Sequence, residues 1–129
     1  MKILITGCAG FIGFHTSQRF LKEKYQVFGI DNINNYYDTN LKKNRITILK
    51  ENKKFTFIKL DLKNKTNLKV LFLKNKFKYV VHLAAQAGVR YSLSNPQSYV
   101  QSNLVGFSNL IELVRDFKPR NFVFASSSS

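Results

Sequence analysis

Residues 1–31 read MKILITGCAGFIGFHTSQRFLKEKYQVFGID, and the rest of the chain is arranged around them. Lys2 to Thr6 is an apolar run, rich in β-branched residues and too short for a helical face, so it reads as a buried strand. Gly7, Gly10 and Gly13 follow at a Gly-x-x-Gly-x-x-Gly spacing. A helical pattern begins there, with Ile12, Thr16 and Phe20 on one side and charges from Lys22 on the other. Gln26 to Ile30 is a second strand, and it ends in Asp31.

Strand, glycine turn, helix, strand and acid together make the βαβ unit that binds dinucleotides. Gly7 permits the tight turn off the strand, and Gly10 lets a pyrophosphate approach the backbone with no Cβ in the way. Gly13 allows close packing of helix on strand. The first backbone N–H groups of that helix, near Phe11 and Ile12, favour the negative charge of a pyrophosphate. Asp31 can accept both ribose hydroxyls of an adenosine and would repel a 2′-phosphate, which favours NAD over NADP. A bare glycine turn is the plain alternative. The strand before it, the helix after it and the acid at the expected distance favour the cofactor.

With 129 residues the chain is one domain's worth of polypeptide, and 44% hydrophobic with 14% aromatic content argues for a folded protein. No run is long and apolar enough to span a bilayer, and Met1 leads straight into a strand rather than a signal peptide. The single cysteine, Cys8, excludes an internal disulfide framework and suits a reducing, cytoplasmic compartment. Beside Gly7, it stands in for alanine rather than acting as a nucleophile. The net charge of +14 points ordinarily to nucleic acid. Here the lysines are scattered with no single basic face, and they accompany many Asn, Ile and Phe, so a compositional bias explains the charge better.

After Asp31, residues 32–38 are rich in Asn and Tyr and read as a loop over the adenosine end of the cofactor. Leu41, Arg45, Ile48 and Leu49 suggest a short helix, and Phe55 to Leu60 is a third strand followed by Asp61 and Leu62. Asp61 is either a helix cap or a neighbour of the adenine ring. Asn64 caps a helix carrying Leu68, Leu71 and Phe72. Lys78 to His82 is a fourth strand, apolar as a central parallel strand should be. The small residues Ala84, Ala85, Ala87 and Gly88 then admit a flat ligand. His82 reads as a satisfied strand-end histidine, and His15 as facing solvent or the neighbouring layer. Pro96 opens the next helix, with Val100, Leu104, Phe107, Ile111 and Val114 as one buried face. Asn103 lies beside that stripe, pointing into the crevice or bonding nearby backbone. Asn121 to Ala125 is a fifth strand, before Ser126, Ser127, Ser128 and Ser129.

Alternating strands and helices give an α/β fold, a doubly wound parallel sheet of Rossmann type over residues 1–129, with no inner domain boundary. The ligand crevice is expected across the carboxyl ends of the first and fourth strands, where strand order reverses.

The chain resembles the N-terminal part of an extended short-chain dehydrogenase/reductase, in the NAD-dependent epimerase/dehydratase family of nucleotide sugars. TGCAGFIG matches the family's TGxxGxxG fingerprint, HLAAQAGVRYS and NPQSYVQSNLVGFSNLIE its fourth-strand loop and next helix, and FASSSS its fifth-strand serine segment. DNINNYYDTNLKKNRI and AGVRYS are most similar to the UDP-glucuronate 4-epimerase group, with UDP-glucose 4-epimerases next. The resemblance implies that Gly7, Gly10, Phe11, Ile12 and Gly13 hold the pyrophosphate of NAD. It implies Asp31 and Asn32 at the adenosine ribose, Asp61 and Leu62 at the adenine, and Leu83, Ala84, Ala85 and Gln86 on the nicotinamide side with Asn103 near them. Ser127 matches the hydroxyl that bonds the sugar's reacting oxygen, with Ser126 and Ser128 beside it. Arg90 is either the partner of a uronate carboxylate or a surface arginine. No metal site is implied.

The family's mechanism has a tyrosine take the proton of the sugar 4-hydroxyl while hydride passes from C4 to NAD. A lysine lowers the tyrosine pKa. The family's Tyr-x-x-x-Lys pair belongs after the serine segment, and no tyrosine of this sequence has a lysine four residues on. The expectation is a truncated or split gene product, the NAD-binding portion of a UDP-sugar 4-epimerase, inactive alone and completed by a separately encoded C-terminal half. The family is usually homodimeric, and the fifth strand would be left as a Phe-rich sheet edge. The alternatives are a stand-alone, non-catalytic dinucleotide-binding module and a basic interaction protein on a relic fold.

Overall fold

The computed structural model describes residues 1–36 and 38–126. The apolar runs form parallel strands β1 (Lys2–Thr6), β2 (Gln26–Asp31), β3 (Phe55–Lys59), β4 (Tyr79–His82) and β5 (Asn121–Phe124). Between them run α1 (Phe11–Lys22), α2 (Thr39–Lys50), α3 (Lys65–Lys74), two short turns of helix, α4 (Tyr91–Ser94) and α5 (Pro96–Tyr99), a π-helical segment (Val100–Val105) and α6 (Gly106–Phe117). The sheet order is β3-β2-β1-β4-β5. The chain therefore moves outward from β1 to β3, then crosses to the other side of β1, and a crevice opens where the order reverses. Thr6 sits at that point, opposite Ile30 on one side and His82 on the other.

Both faces of the sheet are covered, as the apolar character of β1 demands. On one face Ile3, Ile5 and Val27 pack with Phe14 and Leu21 of α1 and Ile46 and Leu49 of α2. On the other, Leu4, Phe28, Ile30 and Val80 pack with Leu68, Leu71 and Phe72 of α3 and Leu110 and Leu113 of α6. The alternation of Ile3, Leu4 and Ile5 between the two clusters is the period-two geometry of a strand. Caps placed by the sequence are present. The Asn64 side chain accepts from the Asn67 N–H at the start of α3, and Asn95 accepts from the Ser98 N–H ahead of a helix that opens on Pro96.

Helix faces differ from the expected ones in three places. Helix α1 buries Gly13, Phe14, Ser17 and Leu21 rather than Ile12, Thr16 and Phe20, and Ile12 is 62% exposed. The reason is the small-residue face: a Cβ on Gly13 would lie 2.0 Å from the Gly7 carbonyl oxygen, so this face alone can touch the turn below it. Helix α2 begins on an Asp38 cap and turns Lys42, Ile46 and Leu49 inward, leaving Leu41 and Ile48 exposed. On the last long helix the buried residues are Gly106, Leu110 and Leu113, while Val100, Leu104 and Ile111 are exposed. The π-helical segment takes more residues per turn than an α-helix, so a stripe counted at α-helical spacing across it lands on the wrong face. Strand β5 is an edge of the sheet among the described residues, with Val123 and Phe124 exposed and Phe124 against Phe107 and Phe122.

The glycine contact gives a sharp contrast between two neighbouring substitutions. Gly13→Ala drives a Cβ into the Gly7 backbone at 2.0 Å, whereas Gly10→Ala meets only that carbonyl oxygen at 3.3 Å. Thermal unfolding is expected to show Gly13→Ala losing about 3 kcal/mol or failing to fold, and Gly10→Ala losing about 1 kcal/mol or less.

Candidate functional site

The crevice is lined by Gly7, Gly10, Asp31, Asn32, Asp61, Leu62 and Leu83 to Gln86, so one cleft brings together most of the residues expected at a dinucleotide. Gly7 leaves β1 with φ +74°, and its N–H donates to the Ile30 carbonyl at 2.8 Å, which draws the turn toward β2. No side chain caps α1 and no acidic residue lies in its first turn. Phe11 and Ile12 are exposed beside it. An uncapped helix start behind a glycine turn, in an open crevice, fits the pyrophosphate of a dinucleotide.

Asp31 ties the end of β2 to the glycine turn and to the segment that follows it. Its Oδ2 accepts from the Ala9 N–H at 3.0 Å and its Oδ1 from the Ile33 N–H at 2.9 Å. Each oxygen keeps a further lone pair for a ribose hydroxyl. Asn32 donates to Asp61 Oδ2 at 3.2 Å, and Asp61 Oδ1 accepts from the Lys63 N–H at 3.0 Å. Asp61 thus caps the turn after β3 and stands in the crevice wall at once. Leu62 is buried beside it.

Lys42 of α2 lines this wall and Arg45, one turn on, bonds the glycine turn beside it; neither was expected there. Lys42 is buried, and its Nζ donates to the Asn34 carbonyl at 3.0 Å and Asn34 Oδ1 at 2.8 Å. Burial pushes its pKa down, while Asp31 opposes that shift and Arg45 adds to it. Arg45 Nη1 donates to the Ala9 carbonyl at 3.0 Å. A lysine in the run Leu41-Lys42-Lys43 carries no sequence signal of burial. The one usable cue is that Lys42 and Arg45 lie three apart, on one helix face.

On the other side, Thr6 organises the loop after β4. Its Oγ1 accepts from the N–H groups of Leu83 and Ala84, each at 3.0 Å, and lies 2.7 Å from His82 Nδ1. Burial keeps the His82 ring beside it neutral. Asn103 lies within the π-helical segment and clasps Gln86 from both ends. Its Oδ1 accepts from the Gln86 N–H at 2.8 Å, and its Nδ2 donates to the Gln86 carbonyl at 3.1 Å. Of its two readings, backbone bonding is the one seen. Arg90 is exposed at the start of α4 and outside the crevice lining. Ser126 is exposed after β5, and Ser127 and Ser128 lie outside the described residues.

The pattern of the GDP-mannose 4,6 dehydratase family matches residues 4–129. The chain belongs to that family. It is 51% identical to Protein CapI of Staphylococcus aureus over 130 aligned residues, all of this chain and 38% of that protein. It is 47% identical to the UDP-glucuronate 4-epimerase of Thermodesulfobacterium geofontis, over 98% of this chain and 39% of that protein. Among solved structures it is similar to the UDP-glucuronic acid 4-epimerase of Bacillus cereus in complex with UDP-glucuronic acid and NAD. The TM-score there is 0.91 at 40% identity, over 100% of this chain and 41% of that one. The chain thus spans about two fifths of the length of these relatives.

Other side chains of this family member are set aside from chemistry by their surroundings. Cys8 is buried under Gly29, and burial, reinforced by Asp31, pushes its thiol far above the usual range, so it stays protonated. His15 is exposed, with its ring edge-on to Phe11 and Phe14. No group of three or more potential metal ligands occurs among the described residues, and no helix of theirs is long and apolar enough to cross a membrane.

His82 has a pH consequence. Burial lowers its pKa from 6.5 to about 4. The unfolded chain therefore takes up the proton first as pH falls. The stability due to neutral His82 is full above about pH 6.5 and is lost progressively toward pH 4, by at most about 3 kcal/mol. Chemical denaturation between pH 7 and pH 4 is expected to show this fall, and His82→Gln to flatten it.

Proposed function

We propose that this chain is the NAD-binding part of a UDP-uronate 4-epimerase. The observation that carries the reading is the crevice itself. A glycine turn and uncapped helix start face an acid at the end of β2, across from a loop of small residues after β4. The two named relatives that act on UDP-glucuronate support the substrate class. In this reading Gly7, Gly10, Phe11, Ile12 and Gly13 bind the pyrophosphate, Asp31 and Asn32 the adenosine ribose, and Asp61 and Leu62 the adenine. Leu83 to Gln86, held by Thr6 and Asn103, orient the nicotinamide. Ser127, flanked by Ser126 and Ser128, bonds the sugar's 4-oxygen, while Arg90, exposed outside the crevice lining, is left as a surface arginine.

When bound, NAD supplies the acceptor and then the donor of the hydride at sugar C4. The proton of the 4-hydroxyl needs a base of lowered pKa, and the sequence given holds no Tyr-x-x-x-Lys. We therefore assign turnover to this chain together with a further segment, on the same or a separate polypeptide, within a homodimeric, cytoplasmic enzyme.

Calorimetry on the full chain tests the cofactor. NAD binding is expected, with Asp31→Ala weakening it about tenfold or more. No binding by a folded chain would overturn the reading. Supplied with NAD and UDP-glucuronate, the 129 residues alone are expected to form no UDP-galacturonate. Adding the family's C-terminal segment is expected to restore turnover.

A further inference from the structure

Lysines that look scattered along the sequence recur once per strand-helix unit, and a parallel sheet returns each helix-to-strand turn to the same end. From the last residue of each of α1, α2, α3 and α6 to the strand that follows, the chain carries two or three cations. The register lines up four cations across the sheet. Lys54, Gln26, Lys2, Lys78 and Arg120 stand side by side at the amino ends of the strands. At about 4.8 Å between neighbouring strands, this row runs about 19 Å. Lys54 and Arg120 are exposed, and Lys2 and Lys78 are half-buried. The acids in these turns are Glu23 and Glu51, and Glu23 is already paired with Arg19. None of the cations there is in an ion pair among the described residues. A helix dipole favours a cation in the last turn, whereas Lys53, Lys54, Lys76 and Lys78 lie beyond it. Lys24 (φ +71°) and Lys118 (φ +51°) take the left-handed conformation that glycine or asparagine fills at lower cost. Helix termination alone therefore does not account for the charge at this end.

We propose that the amino end of the sheet is a docking surface for an anionic lipid bilayer. A lysine or arginine close to such a surface strengthens binding about fivefold, so the row and its flanking turns act together. Exposed apolar side chains favour lipid over nucleic acid as the partner. Met1, Leu73 and Phe117 are exposed at this same end. Met1 precedes β1, Leu73 lies in the last turn of α3, and Phe117 closes α6. Nucleic-acid phosphates would leave these side chains in water. The headgroup boundary of a bilayer takes both apolar tips and charged ammonium heads. The crevice opens at the opposite, carboxyl end of the strands, so a docked chain holds its ligand cleft toward solvent. The inference does not rest on the proposed NAD site.

The test is cosedimentation of the full chain with phosphatidylcholine vesicles, with and without about one third phosphatidylserine, and with circular dichroism as the folding control. Binding is expected to the serine-containing vesicles alone, and to fall steeply as salt rises. Lys53→Gln, Lys76→Gln and Arg120→Gln together are expected to lower the partition about 100-fold. The same loss of charge at Lys43, Lys59 and Lys69, exposed cations away from this end, is expected to lower it less than about threefold. Leu73→Ser is expected to weaken vesicle binding about tenfold with the charge unaltered, which keeps the test decisive if the triple variant does not fold. A folded chain that ignores the serine-containing vesicles overturns the proposal. So do equal losses from the two triple variants, and an unchanged partition in Leu73→Ser. Tighter binding to a duplex oligonucleotide than to the vesicles at the same salt also overturns it.

Discussion

The backbone of Gly7 and the Cα of Gly13 approach so closely that no other side chain fits between them, and the site depends on that contact. It seats the start of α1 on the end of β1. Because the helix is seated there, its uncapped N–H groups open into the crevice rather than onto a neighbouring layer. The same contact chooses which face of α1 is buried. Ser17 is carried into the interior one turn on, and its hydroxyl has no hydrogen-bond partner among the described residues. An unpaired buried hydroxyl costs about 1 kcal/mol or more, and the fold tolerates it to keep the small-residue face inward.

Around that seat, the crevice walls are tied by bonds that cross between distant segments. Asp31 joins β2 to the glycine turn, Asn32 joins β2 to Asp61 beyond β3, and Thr6 joins β1 to the loop after β4. Each uses a polar side chain at a strand's carboxyl end, where the parallel ladder stops and backbone groups need other partners. The polar atoms that shape the ligand site are therefore also those that finish the sheet.

What the sequence made legible was the local part. Strands β1 and β2, the turn at Gly7 and the acid at Asp31 follow from residue type and spacing, and the observed spans agree with the expected ones to within a residue. The α/β sheet order at the crevice followed from alternation and handedness. Helix orientation was not legible, because it is decided by contacts remote in sequence. Ile12, Leu41 and Leu104 satisfy a helical stripe yet face outward, since Gly13, Lys42 and the π-helical segment dictate how each helix sits. Of the residues taken from the family motif, Gly7, Gly10, Asp31, Asn32, Asp61, Leu62 and Leu83 to Gln86 line the crevice, whereas Phe11, Ile12, Gly13 and Asn103 do not; the partners of Asn103 and the reach of Arg45 to Ala9 join residues far apart. Arg90 is exposed away from the cleft, and its assignment rested on the uronate alone.

The two walls of the crevice use different physics, and the difference matters for the proposed chemistry. The wall at the end of β2, where the proposed function puts the adenosine, carries charge, with Asp31 and Lys42 in it. The wall after β4, where it puts the nicotinamide, is held by neutral bonds through Thr6, His82 and Asn103. An oxidised nicotinamide ring is cationic and its reduced form neutral, so a fixed positive charge beneath that wall would bias the pair toward the reduced state. His82 is a titratable group at this wall, and burial holds it neutral. In the proposed function the hydride that is taken is returned, which requires the two redox states of the cofactor to stay close in free energy. On that reading an uncharged His82 at the carboxyl end of β4 leaves the balance undisturbed.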